Sequence, residues 1–271
     1  MTKVNDKVLV LDIDGTLTNS NKEISPKTKE AIINVMKRGH KVILASGRPT
    51  PGMRRYVQEL ELEKHGGYIL SYNGARVIDC KSGDIIYQKA VPQYLVPSLF
   101  KFAKNNDLGL ITFLGDEVIS GTRVDDYIRY ESKINQLKIR EVENFVEFVD
   151  FEANKFLMTA PPERAEYLVV QLQEKYGQEL SIYRSEPFFI EIMPQNIDKA
   201  KSLERMLLTI GLDKEDMICC GDGFNDLSMI EYAGIGVAMG NAQDKVKEVA
   251  DYITASNDHD GIVEVIEEFI L

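Results

Sequence analysis

Residues Lys7 to Ser20 read KVLVLDIDGTLTNS, and this stretch runs from an apolar segment directly into two acidic residues, Asp12 and Asp14. The apolar run VLVL lacks the polar alternation of a half-exposed strand, and it is typical of a strand buried on both faces of a sheet. Open parallel sheets bind their ligands at the carboxyl ends of the strands. The stretch therefore predicts a parallel α/β fold with carboxylates at its ligand-binding edge.

The sequence on either side alternates between strand and helix patterns. ISPKTKEAIINVMKRGH has Ser25 as a helix N-cap, Pro26 in the first turn and Gly39 as the terminator, and the apolar run KVILAS follows it. Alternation resumes late in the chain with a helix from Asp198 to Leu208 and the strand DMICCGD. We expect an α/β protein whose parallel, Rossmann-like core sheet has helices on both faces.

The middle of the chain has a different pattern. ARVIDCKSGDIIYQKAV predicts a hairpin, and short strands such as LGLITF and NKFLMTA alternate irregularly with helices. Strands joined through hairpins indicate an α+β unit with an antiparallel sheet. We therefore assign residues 1–83 and 187–271 to a core domain and residues 84–186 to an inserted domain.

Composition limits the possible partners. A formal net charge of -11 disfavours binding to nucleic acid or to an anionic membrane, because both recruit clustered Lys and Arg.

No stretch approaches the roughly 20 apolar residues of a membrane helix, and MTKVNDK lacks the apolar core of a signal peptide. Three cysteines, two of them adjacent, do not form a disulfide framework. We expect a cytoplasmic protein that is a monomer or a weak homodimer.

Three polar residues from distant segments follow apolar runs: Asp12, Ser46 and Asp222. Carboxylates suit Mg2+, whereas zinc prefers His or Cys, and the chain has only three histidines. Mg2+ held by one or two carboxylates usually completes its coordination with water and phosphate oxygens, so a phosphate substrate is indicated. A carboxylate can also attack phosphorus and form an aspartyl-phosphate.

Four segments, in order, resemble the motifs of the haloacid dehalogenase-like phosphatases: DIDGT, SGR, Lys199 ahead of SL, and GDGFND. The chain is similar over nearly its whole length to the Cof-type subfamily and to bacterial sugar phosphatases, including SYNGA, VAMGNA and SNDHDG. Taken singly, Ser46 could be only a helix cap, Arg48 a solvated charge and Lys199 an exposed first-turn lysine. The joint, ordered match favours the functional interpretation.

The resemblance implies roles for individual residues. Asp12 would be the nucleophile, and Asp14 the general acid that protonates the leaving group and then activates water. Mg2+ would be held by the Asp12 carboxylate, the Asp14 backbone carbonyl and Asp222. The phosphoryl group would be bound by Ser46, Gly47, Lys199 and Asn225. Asp226 would hold Lys199 or a metal-bound water, and Asn73 and Arg48 would support the substrate.

The inserted segment lies where Cof-type relatives carry a large cap domain, so the resemblance implies a lid and small phosphoester substrates, with sugar phosphates favoured. Polar residues that could hydrogen-bond a sugar are Arg184, Ser185, Glu186, Asp116 and Glu117. Related chains also act on pyridoxal phosphate, flavin nucleotides and riboflavin precursors. A non-catalytic phospho-ligand sensor and a phosphomutase remain alternatives.

Overall fold

The computed structural model describes residues 6–271, which form two compact units. The first unit comprises the chain up to Tyr87 together with Asp198–Leu271, and the second comprises Gln88–Ile197. The second unit is therefore an insertion in the sequence of the first.

The strands of the described residues, in chain order, are β1 (Val8–Leu11), β2 (Lys41–Ala45), β3 (Tyr68–Ser71), β4 (Arg76–Asp79), β5 (Ile85–Gln88), β6 (Gly109–Leu114), β7 (Glu117–Ser120), β8 (Lys138–Glu141), β9 (Phe156–Thr159), β10 (Leu180–Glu186), β11 (Phe189–Pro194), β12 (Met217–Gly221), β13 (Ile235–Ala238) and β14 (Tyr252–Ile253). The α-helices are α1 (Pro26–Lys37), α2 (Thr50–Glu59), α3 (Leu62–His65), α4 (Val96–Asn105), α5 (Asp126–Asn135), α6 (Phe145–Phe148), α7 (Pro162–Tyr176), α8 (Lys199–Ile210), α9 (Leu227–Tyr232), α10 (Asp244–Val249) and α11 (Gly261–Phe269).

The first unit is built on an eight-stranded sheet in the order β14-β13-β12-β1-β2-β3-β4-β5. The strands from β14 to β3 are parallel, and β4 is antiparallel to β3. All four residues of β1 are buried, and helices cover both faces of the sheet. Ser25 caps α1 by accepting a hydrogen bond from the Thr28 amide, as the sequence predicts. The predicted α/β core is confirmed.

The second unit has a six-stranded sheet in the order β10-β11-β9-β6-β7-β8. Its pairs are antiparallel except β7 with β8, which are parallel. One face forms an apolar cluster with the helices, in which Leu110 and Met158 of the sheet join Leu99 of α4 and Leu168 of α7. This arrangement agrees with the α+β unit expected from the hairpin pattern.

The limits of the second unit lie later in the chain than the predicted residues 84–186. The strand β5, directly after the predicted start, belongs to the sheet of the first unit. The strand β11, after the predicted end, pairs with β9 and β10 in the second sheet. Both differences arise because sheet membership depends on the pairing partner, which a strand's own hydrophobic pattern does not specify.

Two expectations from composition can be compared with the described residues. Within residues 6–271, no helix has the length and apolar character needed to cross a membrane. Cys80, Cys219 and Cys220 are all free, in agreement with the prediction of no disulfide.

Candidate active site

The three polar residues predicted at strand ends follow three neighbouring strands. Asp12, Ser46 and Asp222 come directly after β1, β2 and β12, and β1 lies between the other two strands in the sheet. The Asp12 amide also donates to the carbonyl of Cys220, at 3.1 Å, so the end of β1 is tied to the end of β12. The parallel register therefore brings the DIDGT, SGR and GDGFND segments to one edge.

Lys199 is a buried cation at this edge. It is the first residue of α8, after the N-cap Asp198, and its side chain is 0% exposed. Its Nζ donates to Asp12 Oδ1 at 2.6 Å and to Asp226 Oδ1 at 2.5 Å. Burial alone would lower the pKa of Lys199, but these two carboxylates outweigh it and raise the pKa above its usual value. The interpretation of Lys199 as an exposed first-turn lysine is wrong.

Asp226 is fully engaged by the protein. One of its oxygens accepts from Lys199, and the other accepts from the amides of Asp222 and Gly223, both at 3.0 Å. The contact with Lys199 is one of the two roles that the resemblance implies for Asp226. Its carboxylate both orients the lysine and shapes the loop that carries Asp222.

The carboxylates at this edge fit a divalent cation. Ligand atoms of Asp12, Asp222 and Asp226 all lie within 4.8 Å of one another. Burial raises the pKa of Asp12 well above its usual value, and Asp226 raises it further against the effect of Lys199. Burial and Asp226 also raise the pKa of Asp222 to about 6. One lysine does not compensate three carboxylates, so the site favours an added cation.

The hydrogen bonds of these three carboxylates indicate which of them would bind a cation. Asp226 is occupied by Lys199 and two amides, whereas Asp12 uses one oxygen for Lys199 and Asp222 uses one oxygen to accept from Thr16 Oγ1, at 3.0 Å. Asp12 and Asp222 therefore each keep an oxygen that accepts no hydrogen bond within the described residues, and Asp12 Oδ1 keeps a further lone pair beside the one used by Lys199. Two carboxylates with few nitrogen or sulfur donors suit Mg2+.

Asp14 lies in an ion-pair cluster. Arg48 holds it through two hydrogen bonds, Nε to Oδ2 at 2.6 Å and Nη2 to Oδ1 at 2.9 Å, and Lys22 Nζ donates to Oδ1 at 3.0 Å. Burial raises the pKa of Asp14, but Arg48 and Lys22 outweigh it and lower the pKa to about 2. Asp14 is therefore ionised in this conformation. Arg48 is partly buried against Asp14, and the interpretation as a solvated charge is wrong.

The predicted phosphate-binding residues lie close together beside this cluster. The Asn73 amide donates to the Ser46 carbonyl at 2.9 Å, and Asn225 Nδ2 donates to Asn73 Oδ1 at 3.3 Å. A Cβ atom on Gly47 would lie 3.2 Å from Asn73 Oδ1, so the side chain of Asn73 covers this glycine. Ser46 Oγ accepts from the Arg48 amide at 3.2 Å and closes a turn in the loop, but it does not cap a helix, because α2 begins at Thr50 after the N-cap Pro49.

Several residues of this edge were not identified from the sequence. Thr16 contacts Asp222, Lys22 contacts Asp14, and Asn241 donates from Nδ2 to the Gly15 carbonyl at 2.8 Å. A side chain at Gly15, whose φ is +86°, would collide with the Asp222 carboxylate. Asn241 belongs to VAMGNA, one of the segments that resemble the Cof-type subfamily, and this resemblance is the signal in the sequence that could identify it.

The remaining candidates belong to the second unit. Arg184 lies on β10 and is exposed, and Glu117, at the start of β7, forms an ion pair with Arg140 at 3.4 Å. Asp116 lies in the turn before β7. A substrate role for Arg184 stays a prediction.

Comparisons with known proteins identify the family and the fold of the chain. The model of the haloacid dehalogenase-like hydrolase family matches residues 9–266. A haloacid dehalogenase-like hydrolase from Bacteroides thetaiotaomicron is 42% identical, with a TM-score of 0.95 over 98% of this chain and 100% of its own. A structure described as the sugar phosphatase BT4131, of subclass IIB, is 27% identical, with a TM-score of 0.81 over 97% of this chain and 98% of its own.

A curated relative is also similar over nearly its full length. The 5-amino-6-(5-phospho-D-ribitylamino)uracil phosphatase YcsE of Bacillus subtilis strain 168 is 28% identical over 268 residues, covering 99% of this chain and 97% of the relative. The family model spans nearly the whole chain, including every strand of the first unit's sheet except part of β1. The chain belongs to the family of haloacid dehalogenase-like hydrolases.

Proposed function

We propose that the protein is a Mg2+-dependent phosphatase that hydrolyses small phosphomonoesters through an aspartyl-phosphate on Asp12. The observation that carries this proposal is the state of the Asp12 carboxylate. Oδ1 is held by Lys199, while Oδ2 accepts no hydrogen bond within the described residues. An oriented carboxylate with one oxygen available for attack is what covalent catalysis by an aspartate requires.

In the first half-reaction, an oxygen of Asp12 forms a bond to phosphorus and the bond from phosphorus to the substrate alcohol breaks. Lys199 keeps the Asp12 carboxylate in one orientation and supplies a fixed positive charge next to the transferring group. Ser46, the Gly47 amide and Asn225 supply hydrogen-bond donors to its oxygens. Water then cleaves the acyl-phosphate and regenerates Asp12.

Asp14 transfers the protons of both half-reactions. It donates to the leaving alkoxide and later takes a proton from the attacking water. In the conformation described, the double hydrogen bond from Arg48 keeps Asp14 ionised. A phosphate group also binds a guanidinium through two hydrogen bonds, so the substrate competes with Asp14 for Arg48. Asp14 then loses part of this contact, and its pKa rises.

The metal would be held by the carboxylates of Asp12 and Asp222 and by the Asp14 backbone carbonyl. When bound, Mg2+ supplies charge neutralisation on the phosphoryl oxygens. Thr16 orients Asp222 for this role through its hydrogen bond to Oδ1.

The substrates that we propose are phosphate esters of polyhydroxylated carbon chains, with sugar phosphates first. This class covers both named relatives, since a sugar phosphate and a phosphoribityl compound each carry a phosphate on a chain of hydroxyl-bearing carbons. The second candidate is therefore the riboflavin-precursor type of phosphate, which the relative from Bacillus subtilis favours. We propose that the second unit acts as a cap that recognises the organic part of either substrate.

A panel of phosphoesters assayed for released phosphate with Mg2+ tests the proposal. Turnover should be fastest with a sugar phosphate or a phosphoribityl compound, and Asp12→Asn should abolish it. Saturable binding without phosphate release would favour a phospho-ligand sensor. Transfer of phosphate between two sugar hydroxyls without release would favour a phosphomutase.

A further inference from the structure

Two asparagines from the C-terminal part of the chain hold the loop that follows Asp14. Asn241 Nδ2 donates to the Gly15 carbonyl at 2.8 Å, and Asn257 Nδ2 donates to the Thr18 carbonyl, also at 2.8 Å. Both asparagines come from motifs noted in the sequence, VAMGNA and SNDHDG, for which the proposed chemistry provides no role. We refer to Asn241 and Asn257 as the asparagine clamp.

The two members of the clamp also fix each other. The backbone amide of Asn257 donates to Asn241 Oδ1 at 2.9 Å, while Asn241 Nδ2 donates to Gly15. An amide side chain with an acceptor partner at one end and a donor partner at the other has a single satisfactory orientation. Asn241 is exposed and Asn257 is only partly buried, so their contribution to core packing is small.

The clamped loop is the one that positions Asp14. Its own backbone closes a tight turn, in which the Leu17 amide donates to the Asp12 carbonyl at 3.1 Å and the Thr18 amide to the Ile13 carbonyl at 3.0 Å. The Gly15 carbonyl belongs to the residue directly after Asp14. A hydrogen bond at that carbonyl restricts rotation of the peptide units on which the Asp14 carboxyl is carried.

Further contacts along the chain attach the same C-terminal segment to the residues that follow this loop. Asp258 accepts from the amide and the hydroxyl of Ser20, at 2.8 and 2.7 Å, and Asp260 accepts from Thr28 Oγ1 at 3.1 Å. The segment from Asn257 to Asp260 therefore follows the loop from Thr18 to the start of α1. Of these contacts from the C-terminal part of the chain, the one from Asn241 reaches the residue directly after Asp14, and the one from Asn257 reaches Thr18, whose amide and hydroxyl donate to the Ile13 carbonyl directly before Asp14.

We propose that Asn241 and Asn257 are positioning residues for proton transfer by Asp14. They hold the Gly15–Thr18 turn so that the Asp14 carboxyl meets the leaving oxygen. The inference rests on the proposed function, because it assumes that Asp14 is the general acid. Misplacing a catalytic group by even 1 Å can cost about a hundredfold in rate, so loss of one clamp hydrogen bond is expected to be measurable.

The test compares substrates with poor and good leaving groups. In Asn241→Ala and in Asn257→Ala, kcat/KM for an alkyl phosphate should fall by about tenfold, whereas kcat/KM for p-nitrophenyl phosphate should change by less than about twofold, because only the poor leaving group needs a proton. Asp251→Ala is the matched control, since Asp251 also makes one 2.8 Å hydrogen bond to a backbone group, the Gly236 amide, in the same part of the chain. It should reduce thermal stability without altering the ratio between the two substrates.

A double-mutant cycle with Asp14→Asn completes the test. Adding Asn241→Ala to Asp14→Asn should cause no further loss with the alkyl phosphate, because the group that the clamp positions has already lost its function. Equal losses on both substrates, or an undiminished effect of Asn241→Ala in the Asp14→Asn background, would overturn the inference. If Asp14→Asn itself shows no dependence on the leaving group, the proposed function of Asp14 fails instead, so the two failures are distinguishable.

Discussion

Lys199 Nζ and Asp12 Oδ1 lie 2.6 Å apart, although the two residues are separated by 187 positions in the sequence. The lysine also bonds Asp226, so a single buried ammonium links the DIDGT segment to the GDGFND segment. Neither carboxylate nor ammonium could be buried alone at small cost. The same contact is therefore expected to stabilise the first unit and to take part in the proposed catalysis.

Replacing Lys199 should reduce both activity and stability. Lys199→Met leaves Asp12 and Asp226 facing each other without the cation, and breaking a buried ion pair typically costs about 3–5 kcal/mol of unfolding free energy. We expect phosphatase activity to be lost and the urea midpoint to fall. Lys201→Met is the control, because Lys201 is half-exposed and its ion pair is with Asp198, a surface contact three residues away. Equal stability of the two variants would contradict the role given to Lys199.

Metal removal should abolish turnover. EDTA should stop phosphate release and Mg2+ should restore it. Mg2+ should also raise the melting temperature of the protein, because a ligand that binds only the folded state stabilises it. Asp222→Ala should eliminate both effects, whereas Asp216→Ala, which changes an acid at the opposite end of β12, should retain them. Full activity after exhaustive chelation would exclude the proposed metal.

Covalent catalysis predicts a phosphorylated Asp12. Acid quenching during turnover should trap phosphate on this residue, and peptide mass spectrometry should locate it there. Beryllofluoride should bind in the same position as an acyl-phosphate mimic. Asp12→Asn should abolish trapping, because the amide is not a nucleophile. Trapped phosphate on any other residue would make the mechanism wrong.

His40 predicts a pH dependence of stability in the first unit. Burial lowers the pKa of His40, whose Nδ1 accepts from the Lys7 amide at 3.1 Å. Because the folded pKa lies below the unfolded value of about 6.5, stability is full above that pH and is lost as the pH falls and the unfolded state takes up the proton. His40→Asn should reduce the drop in unfolding free energy between about pH 7 and pH 5. A drop in His40→Asn as large as in the unsubstituted protein would contradict this prediction.

The second unit should determine selectivity. Its entering and leaving segments lie near each other, since Lys89 Nζ donates to the Gln195 carbonyl at 2.8 Å, so residues 88–197 can be replaced by a short Gly/Ser linker. The product should retain slow, Mg2+-dependent hydrolysis of an aryl phosphate and lose discrimination among sugar phosphates, because contacts with the non-reacting part of a substrate provide specificity. A folded product that ranks sugar phosphates as the full chain does would place specificity in the core loops.

The sequence alone was sufficient to predict the parallel core and the polar ends of its strands. Burial on both faces gives β1 and β2 continuous apolar runs, so the residues at which these runs stop, Asp12 and Ser46, are visible without coordinates. The N-cap Ser25 was equally visible, because a cap acts on an amide three residues away. Such features involve residues that are close together in the sequence, so the sequence alone is enough to predict them.

Tertiary structure decided what those residues touch. The order β12-β1-β2 places Asp222 beside Asp12, and the start of α8 brings Lys199 to the same carboxylate. The segments after β13 and β14 bring Asn241 and Asn257 to the turn after Asp14. Tertiary structure also assigned β11 to the second sheet, which moved the boundary of the insertion. These contacts join segments far apart in sequence, and their partners are selected by strand order and packing. No hydrophobic period within one segment encodes that selection.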